Sequence, residues 1–166
     1  VEVLTYDSIF QTIPNKENLK LVKEQTSSLC VNITPFDSPL LTFKPKVFLG
    51  IGCNRDTTFE EIKNAIFFFL EKHKLKIEQI QNIASFEAKS DEIGLLEFAK
   101  EYNFDIKFFN ETEINELQGE FSPSQATKFF GLKGVSEPSS ILVSKYKELI
   151  IPKEVFQNKI TIAGAI

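Results

Sequence analysis

The chain contains no methionine and no tryptophan, and it has two cysteines, one histidine and a single arginine, Arg55, against 18 lysines. Cys30 and Cys53 supply neither a disulfide framework nor a metal-ligand spacing. The longest apolar run, IFFFL at 66–70, is far shorter than a bilayer span. No basic segment followed by an apolar core opens the chain, so no secretory signal is predicted. These absences read as a cytoplasmic protein. The net charge of −4 and pI near 5.2 exclude nucleic acid as the main partner, because phosphate binding needs a basic face. They leave room for a local basic pocket. A start at Val1 without any methionine predicts a fragment or a processed product.

With 166 residues, 42% of them apolar and 25% charged, the chain can bury one domain, or one domain plus part of another. Four of the seven prolines (Pro14, Pro35, Pro39, Pro45) fall in the first 45 residues. That stretch reads as short extended pieces at 19–23, 29–34 and 40–44, without the pattern for a core of its own. KPK at 44–46 marks a boundary between 1–45 and 46–166.

From Val47 the pattern changes. VFLGI reads as a strand buried on both faces. Thr58 and Glu61 fit a capping box, and Ile62, Ala65, Ile66, Phe69 and Leu70 then recur at helical spacing. Further strands are expected at 82–88, 105–109, 148–152 and 159–165, the last two joined by a loop too long for a tight hairpin. A helix capped by Ser90 or Asp91 is expected to turn Ile93, Leu96 and Ala99 or Tyr102 inward. Others are expected over 111–117, within SPSQATKFFG before Gly131, and from a Ser136 cap to about Ser144. The alternation predicts an α/β fold, three layers (α/β/α) around a mixed, mostly parallel sheet.

In GIGCNRDTTFEEI (50–62), a strand ending in Gly50-x-Gly52 runs into a helix start, which offers backbone N–H groups and a positive helix end to an anion. A dinucleotide fingerprint needs a third glycine where Arg55 stands, and no Walker sequence follows. Arg55 is more informative. In a lysine-rich chain, one arginine beside such a turn points to two-pronged binding of a carboxylate, which lysine cannot provide. Cys53 could be a nucleophile activated by the helix end, but it reads better as a small buried residue with no base beside it. His73 reads as a cation complementing a helix C-terminus. Arg55, Lys89 and Lys153 each follow a predicted strand, so parallel strands would bring them to one rim, where open α/β sheets bind ligands. Asp91, Glu92 and Glu137 fit the first-turn acids of helices.

GIGCNRDTTFEEI, the K-x-x-E of KSDEIGLLEFA (89–99), GVSEPSSIL (134–142) and IPKEVFQNKITIAGA (151–165) follow one another in a familiar order and spacing. Together they resemble the C-terminal domain of the CbiG family of anaerobic cobalamin biosynthesis, whose stand-alone relative is CobE. The resemblance covers about 46–166, and VNITPFDSPLLTFKPK (31–46) is similar to the tail of the central region that precedes it. It implies a part of a cobalt-precorrin-5A hydrolase, which opens a macrocycle lactone and releases acetaldehyde. The implied ligand is a polycarboxylate tetrapyrrole, held by Gly50, Gly52, Cys53, Arg55, Thr57, Thr58, Lys89, Glu92, Glu137 and Lys153. Arg55-Asp56-Thr57 departs from the family's usual Arg-x-Gly-Thr turn. No metal ligand, cofactor or catalytic base is implied. The alternative is a non-catalytic module that carries a corrinoid intermediate or docks on other enzymes of the pathway.

Overall fold

The computed structural model describes residues 1–119, 121, 131, 132 and 134–166. The helix expected before Gly131 lies outside them. Two sheets are present. Strands β1 (Glu2–Leu4), β2 (Lys20–Val22), β3 (Cys30–Ile33) and β4 (Leu41–Phe43) pair in the order β2-β1-β3-β4, all parallel. Strands β5 (Val47–Cys53), β6 (Ile80–Phe86), β7 (Ile106–Phe109), β8 (Leu149–Phe156) and β9 (Ile160–Ala165) form the main sheet, ordered β7-β6-β5-β9-β8. Here β5, β6 and β7 are parallel, and β9 runs antiparallel to both β5 and β8. The mixed, mostly parallel α/β arrangement is the one expected from the strand–helix alternation.

The period-two pattern of β5 assigns its neighbours. Val47, Leu49, Ile51 and Cys53 join the core that contains Ile62, Ile66 and Phe69 of α2 (Phe59–Lys72) and Leu95 and Phe98 of α3 (Ile93–Glu101). Each of the fully buried side chains in this set stabilises the fold by about 1.5–3 kcal/mol. Gly50 lies on the other face. A Cβ there would sit 1.8 Å from the Ser136 carbonyl oxygen and 2.6 Å from the Ser140 nitrogen, so glycine lets α5 (Ser136–Val143) lie directly on the strand. A second core on that face joins Ala84, Phe86, Phe109, Leu132 and Val135 to Ile114 of α4 (Glu111–Glu116).

The first 45 residues do more than lie extended. They pair into their own sheet, and Ile9 of α1 (Asp7–Phe10) enters the main core with Tyr6, Ile33 and Phe36 packed against it. Ser8 donates to Glu148 at 2.7 Å, and Gln79 donates to the Pro35 carbonyl at 2.9 Å. Both contacts lie just before main-sheet strands begin. The small sheet therefore sits at the amino edge of β6 and β8, opposite the edge where ligands were expected.

Six expectations are corrected. In α3 the inner face is Gly94, Leu95, Phe98 and Ala99, while Ile93 is 70% and Leu96 41% exposed; neither Ser90 nor Asp91 caps it, the N-cap being Glu92. The cap of α5 is Val135, with Ser136 already helical. The 82–88 strand ends at Phe86, and Glu87–Lys89 is one turn of 3-10 helix. β8 continues through Pro152 to Phe156, which an edge strand with register shifts tolerates. It then meets β9 through a tight turn after all: the Lys159 N–H bonds the Phe156 carbonyl at 3.1 Å across Gln157 and Asn158, both at positive φ.

Candidate functional site

The carboxyl ends of β5 and β6 are adjacent, and each leads toward a helix start on the same face of the sheet. At the first, Thr58 caps α2. Its hydroxyl accepts the Glu61 N–H at 3.2 Å, and Glu61 returns a bond to the Thr58 N–H at 2.9 Å. Thr57 is buried, and its hydroxyl ties the turn by donating to the Asn54 carbonyl at 2.7 Å. Asp56 adopts a left-handed conformation, φ 60°, which its short polar side chain tolerates.

At the second, the start of α3 presses on the start of α2. A Cβ on Gly94 would lie 2.3 Å from the Thr57 carbonyl oxygen, so this glycine sets the distance between the two helix N-termini. Between them lies a half-open cleft of about 440 Å³, lined by Arg55, Asp56, Thr57, Thr58, Phe59, Asp91, Glu92, Ile93, Gly94 and Glu97.

Arg55 spans the cleft. Nη1 donates to Asp91 Oδ1 at 2.5 Å and to Glu92 Oε1 at 2.8 Å, and Nη2 donates to the Ala88 carbonyl at 2.7 Å. Glu92 is buried and also accepts the Asp56 N–H at 3.2 Å, so it locks the two turns together. Hydrogen bonding to Arg55 holds the exposed Asp91 carboxyl below its usual range. Lys89 is partly buried, follows the carbonyl that holds Arg55, and makes no ion pair among the described residues.

Cys53 lies at the end of β5 with its thiol pushed up to about 11 by burial, against the weaker opposing pull of Lys89 and Arg55. It is a neutral thiol at physiological pH, which fits the structural reading of this residue. His73 lies at the other end of α2, where Nε2 is 2.7 Å from Glu154 Oε1.

The ten residues singled out from the sequence therefore divide. Arg55, Thr57, Thr58, Lys89 and Glu92 gather on the α2/α3 side of the edge, with Cys53 beneath them. Gly50 and Gly52 face α5: a Cβ on Gly52 would meet Thr161 Oγ1 at 2.6 Å and the Val135 side chain at 3.5 Å. Glu137, buried at the start of α5, accepts the Lys153 N–H at 3.2 Å. Lys153 is inside β8, not past its end, and β9 separates that strand from β5. The expected rim of three strand-end cations is thus reduced to Arg55 and Lys89. Two participants escaped the sequence reading. Asp91 passed for an ordinary first-turn acid, and the signal for Gly94 was a glycine inside a helix.

A mixed sheet sandwiched by helices, with two helix N-termini meeting over its carboxyl edge, defines a three-layer α/β domain. The family described as "Cobalamin synthesis G C-terminus" matches residues 47–165, and the chain belongs to it. It is 32% identical over 125 residues to a cobalt-precorrin-5A hydrolase of Priestia megaterium, covering 75% of this chain and 33% of that protein. The corresponding protein of Salmonella typhimurium is 29% identical over 136 residues, covering 78% of this chain and 38% of its own length. The chain thus spans about a third of the curated relatives it matches. CobE, a protein from the cobalamin (vitamin B12) biosynthetic pathway, shares the fold with a TM-score of 0.65 and 22% identity over 72% of this chain and 88% of that one. A putative cobalamin biosynthesis protein G homolog from Sulfolobus solfataricus aligns over 99% of this chain and 48% of its own, with a TM-score of 0.60 and 25% identity.

Among the described residues no helix is long and apolar enough to cross a membrane, and no three His, Cys, Asp or Glu side chains come together as a metal site.

Proposed function

We propose that this chain is the tetrapyrrole-binding part of a cobalt-precorrin-5A hydrolase, with residues 1–45 the tail of a preceding region and 46–166 the binding domain. The observation that carries this reading is the pairing of Arg55 with Lys89 at the meeting of two helix N-termini. A precorrin bears several carboxylates around an apolar ring. Such a ligand suits fixed cations and oriented N–H groups better than a buried apolar pocket. The cleft itself is acidic, with Asp56, Asp91, Glu92 and Glu97 on its walls. The macrocycle carboxylates therefore engage the Arg55–Lys89 lip and not the cleft floor.

Opening a lactone with water requires a base and a stabiliser for the oxyanion. The helix N-termini offer N–H donors. A base is harder to find among the described residues: Cys53 is neutral, His73 is engaged at the far end of α2, and Glu92 is tied to Arg55 and Asp56. The cleft carboxylates Asp56 and Glu97 stand exposed to solvent. That deficit favours a second reading, in which this chain holds the corrinoid intermediate, or docks on a partner enzyme, without performing the chemistry.

The test is incubation of the chain with cobalt-precorrin-5A, following ring absorbance for binding and trapping released acetaldehyde. Binding without acetaldehyde supports a binding part that needs the rest of the hydrolase. Acetaldehyde from this chain alone would make it a complete catalyst. No binding by the folded chain would end the tetrapyrrole reading.

A further inference from the structure

The guanidinium of Arg55 is already held by carboxylates, and the two acids that hold it are not equivalent. The Glu92 side chain is 5% exposed, and its second oxygen accepts the Asp56 N–H. The Asp91 side chain is 74% exposed and reaches Nη1 from the solvent side of the lip. Glu92 and the Ala88 carbonyl are enough to keep the guanidinium in place. Asp91 adds a carboxylate where a bound carboxylate would sit.

We infer that Asp91 is an internal competitor for the Arg55 site, displaced when a ligand carboxylate binds. The inference rests on the tetrapyrrole reading above and adds a competing contact to it. Exchange of one carboxylate for another preserves the charge-assisted hydrogen bond at Nη1, so the guanidinium stays paired during binding and the released, solvent-exposed Asp91 carboxylate is hydrated instead. An ester or amide in the same place cannot replace the lost charge, and Asp91 would keep the position against it. Arg55 itself sets the preference for a carboxylate over an uncharged analogue of the same shape, and Asp91, by occupying Nη1, masks part of that preference until a carboxylate displaces it. An ion pair this open to water is weak, so competition reduces the affinity of a true carboxylate ligand by only about fivefold. Lys89, close enough to act on the Asp91 carboxyl, supplies a second attachment for a ligand with several carboxylates.

The test uses uroporphyrin, an octacarboxylate, and its octamethyl ester, with binding followed by fluorescence on the parent, Asp91→Asn, Glu97→Gln and Arg55→Lys. Glu97 lines the same cleft, so its substitution removes one negative charge without touching the arginine contact. Asp91→Asn should tighten uroporphyrin binding about fivefold and widen the preference for acid over ester, because the neutral ester gains less from the freed guanidinium, while Glu97→Gln changes either by less than about twofold. Arg55→Lys should weaken binding, because the two-pronged contact is lost. Equal effects from Asp91→Asn and Glu97→Gln, or weaker binding by Asp91→Asn, would overturn the competitor role and leave the binding reading intact. No uroporphyrin binding by any folded variant would overturn the binding reading, and the inference with it.

Discussion

The two faces of the main sheet are attached to their helices by different means. On the α2/α3 face, polar side chains join the turns: the Thr58–Glu61 box, the ion pair of Glu61 with Lys159, and the bridge from Arg55 to Glu92 and Asp91. On the other face, α5 has no side-chain cap, and the Ser136 and Ser139 hydroxyls are buried without partners among the described residues. What holds α5 is the backbone contact at Gly50, together with the second apolar core and the buried Glu137, which accepts the Lys153 N–H. Side-chain links of the first kind can exchange partners with little loss. Close contact of the second kind has no slack. The lesson is that the face able to respond to a ligand is the one stitched by exposed polar groups, and the rigid face serves as its support.

The largest effect should come from the rigid face. Gly50→Ala places a methyl group into the α5 backbone and should cost about 3 kcal/mol or more, read as a lowered urea midpoint or as loss of soluble protein. Gly94→Ala also meets backbone, yet it regains about 1 kcal/mol of helix propensity, so a smaller net loss of about 2 kcal/mol is expected. Equal losses at the two positions would remove the contrast between the faces.

A pair of opposite signs comes next. Thr58→Ala removes a satisfied cap and should lower stability by about 1 kcal/mol. Ser139→Ala removes a hydroxyl that has no partner and should be neutral, or stabilise by about 0.5 kcal/mol. Destabilisation by both, in urea titrations, would mean that the serine hydroxyl is satisfied in solution.

The smallest effect is at Cys53. Because burial pushes its thiol up to about 11, iodoacetamide should label it slowly at pH 7 in the folded chain, and Cys53→Ala should leave uroporphyrin binding unchanged. Rapid labelling at neutral pH would restore the nucleophile reading.

Much of the fold was legible because its signals are local. VFLGI announces β5, and the Thr58-x-x-Glu61 spacing announces α2, since both depend on neighbours within a turn or a strand. The register of α3 was not legible. Ile93 and Leu96 carry the apolar weight expected of an inner face, yet the close approach at Gly94 decides which face turns inward. The β8–β9 turn was hidden because Gln157 and Asn158 adopt positive φ without the glycine that usually advertises it. In the small sheet, β2, β3 and β4 fall inside the extended pieces read at 19–23, 29–34 and 40–44, while β1, three residues long, and the pairing of the four left no local signal. At the site, Arg55 stood out by its rarity and its place beside the Gly50-x-Gly52 turn. Its partners lie 36 and 37 residues further along the chain, and no local pattern links them.

The placement of β9 bears on how the molecule assembles. It is the last of the main-sheet strands in sequence, yet it lies between β5 and β8 and pairs with both. Until it arrives, β5 presents an open apolar edge to other chains, and β8 has nothing to pair with. Closing the sheet brings residues near 50 and 160 together, a contact of long sequence separation that slows folding. The vulnerable moment for this chain is thus the interval before residues 160–165 insert. Conditions that prolong it should favour aggregation even where the finished fold is stable.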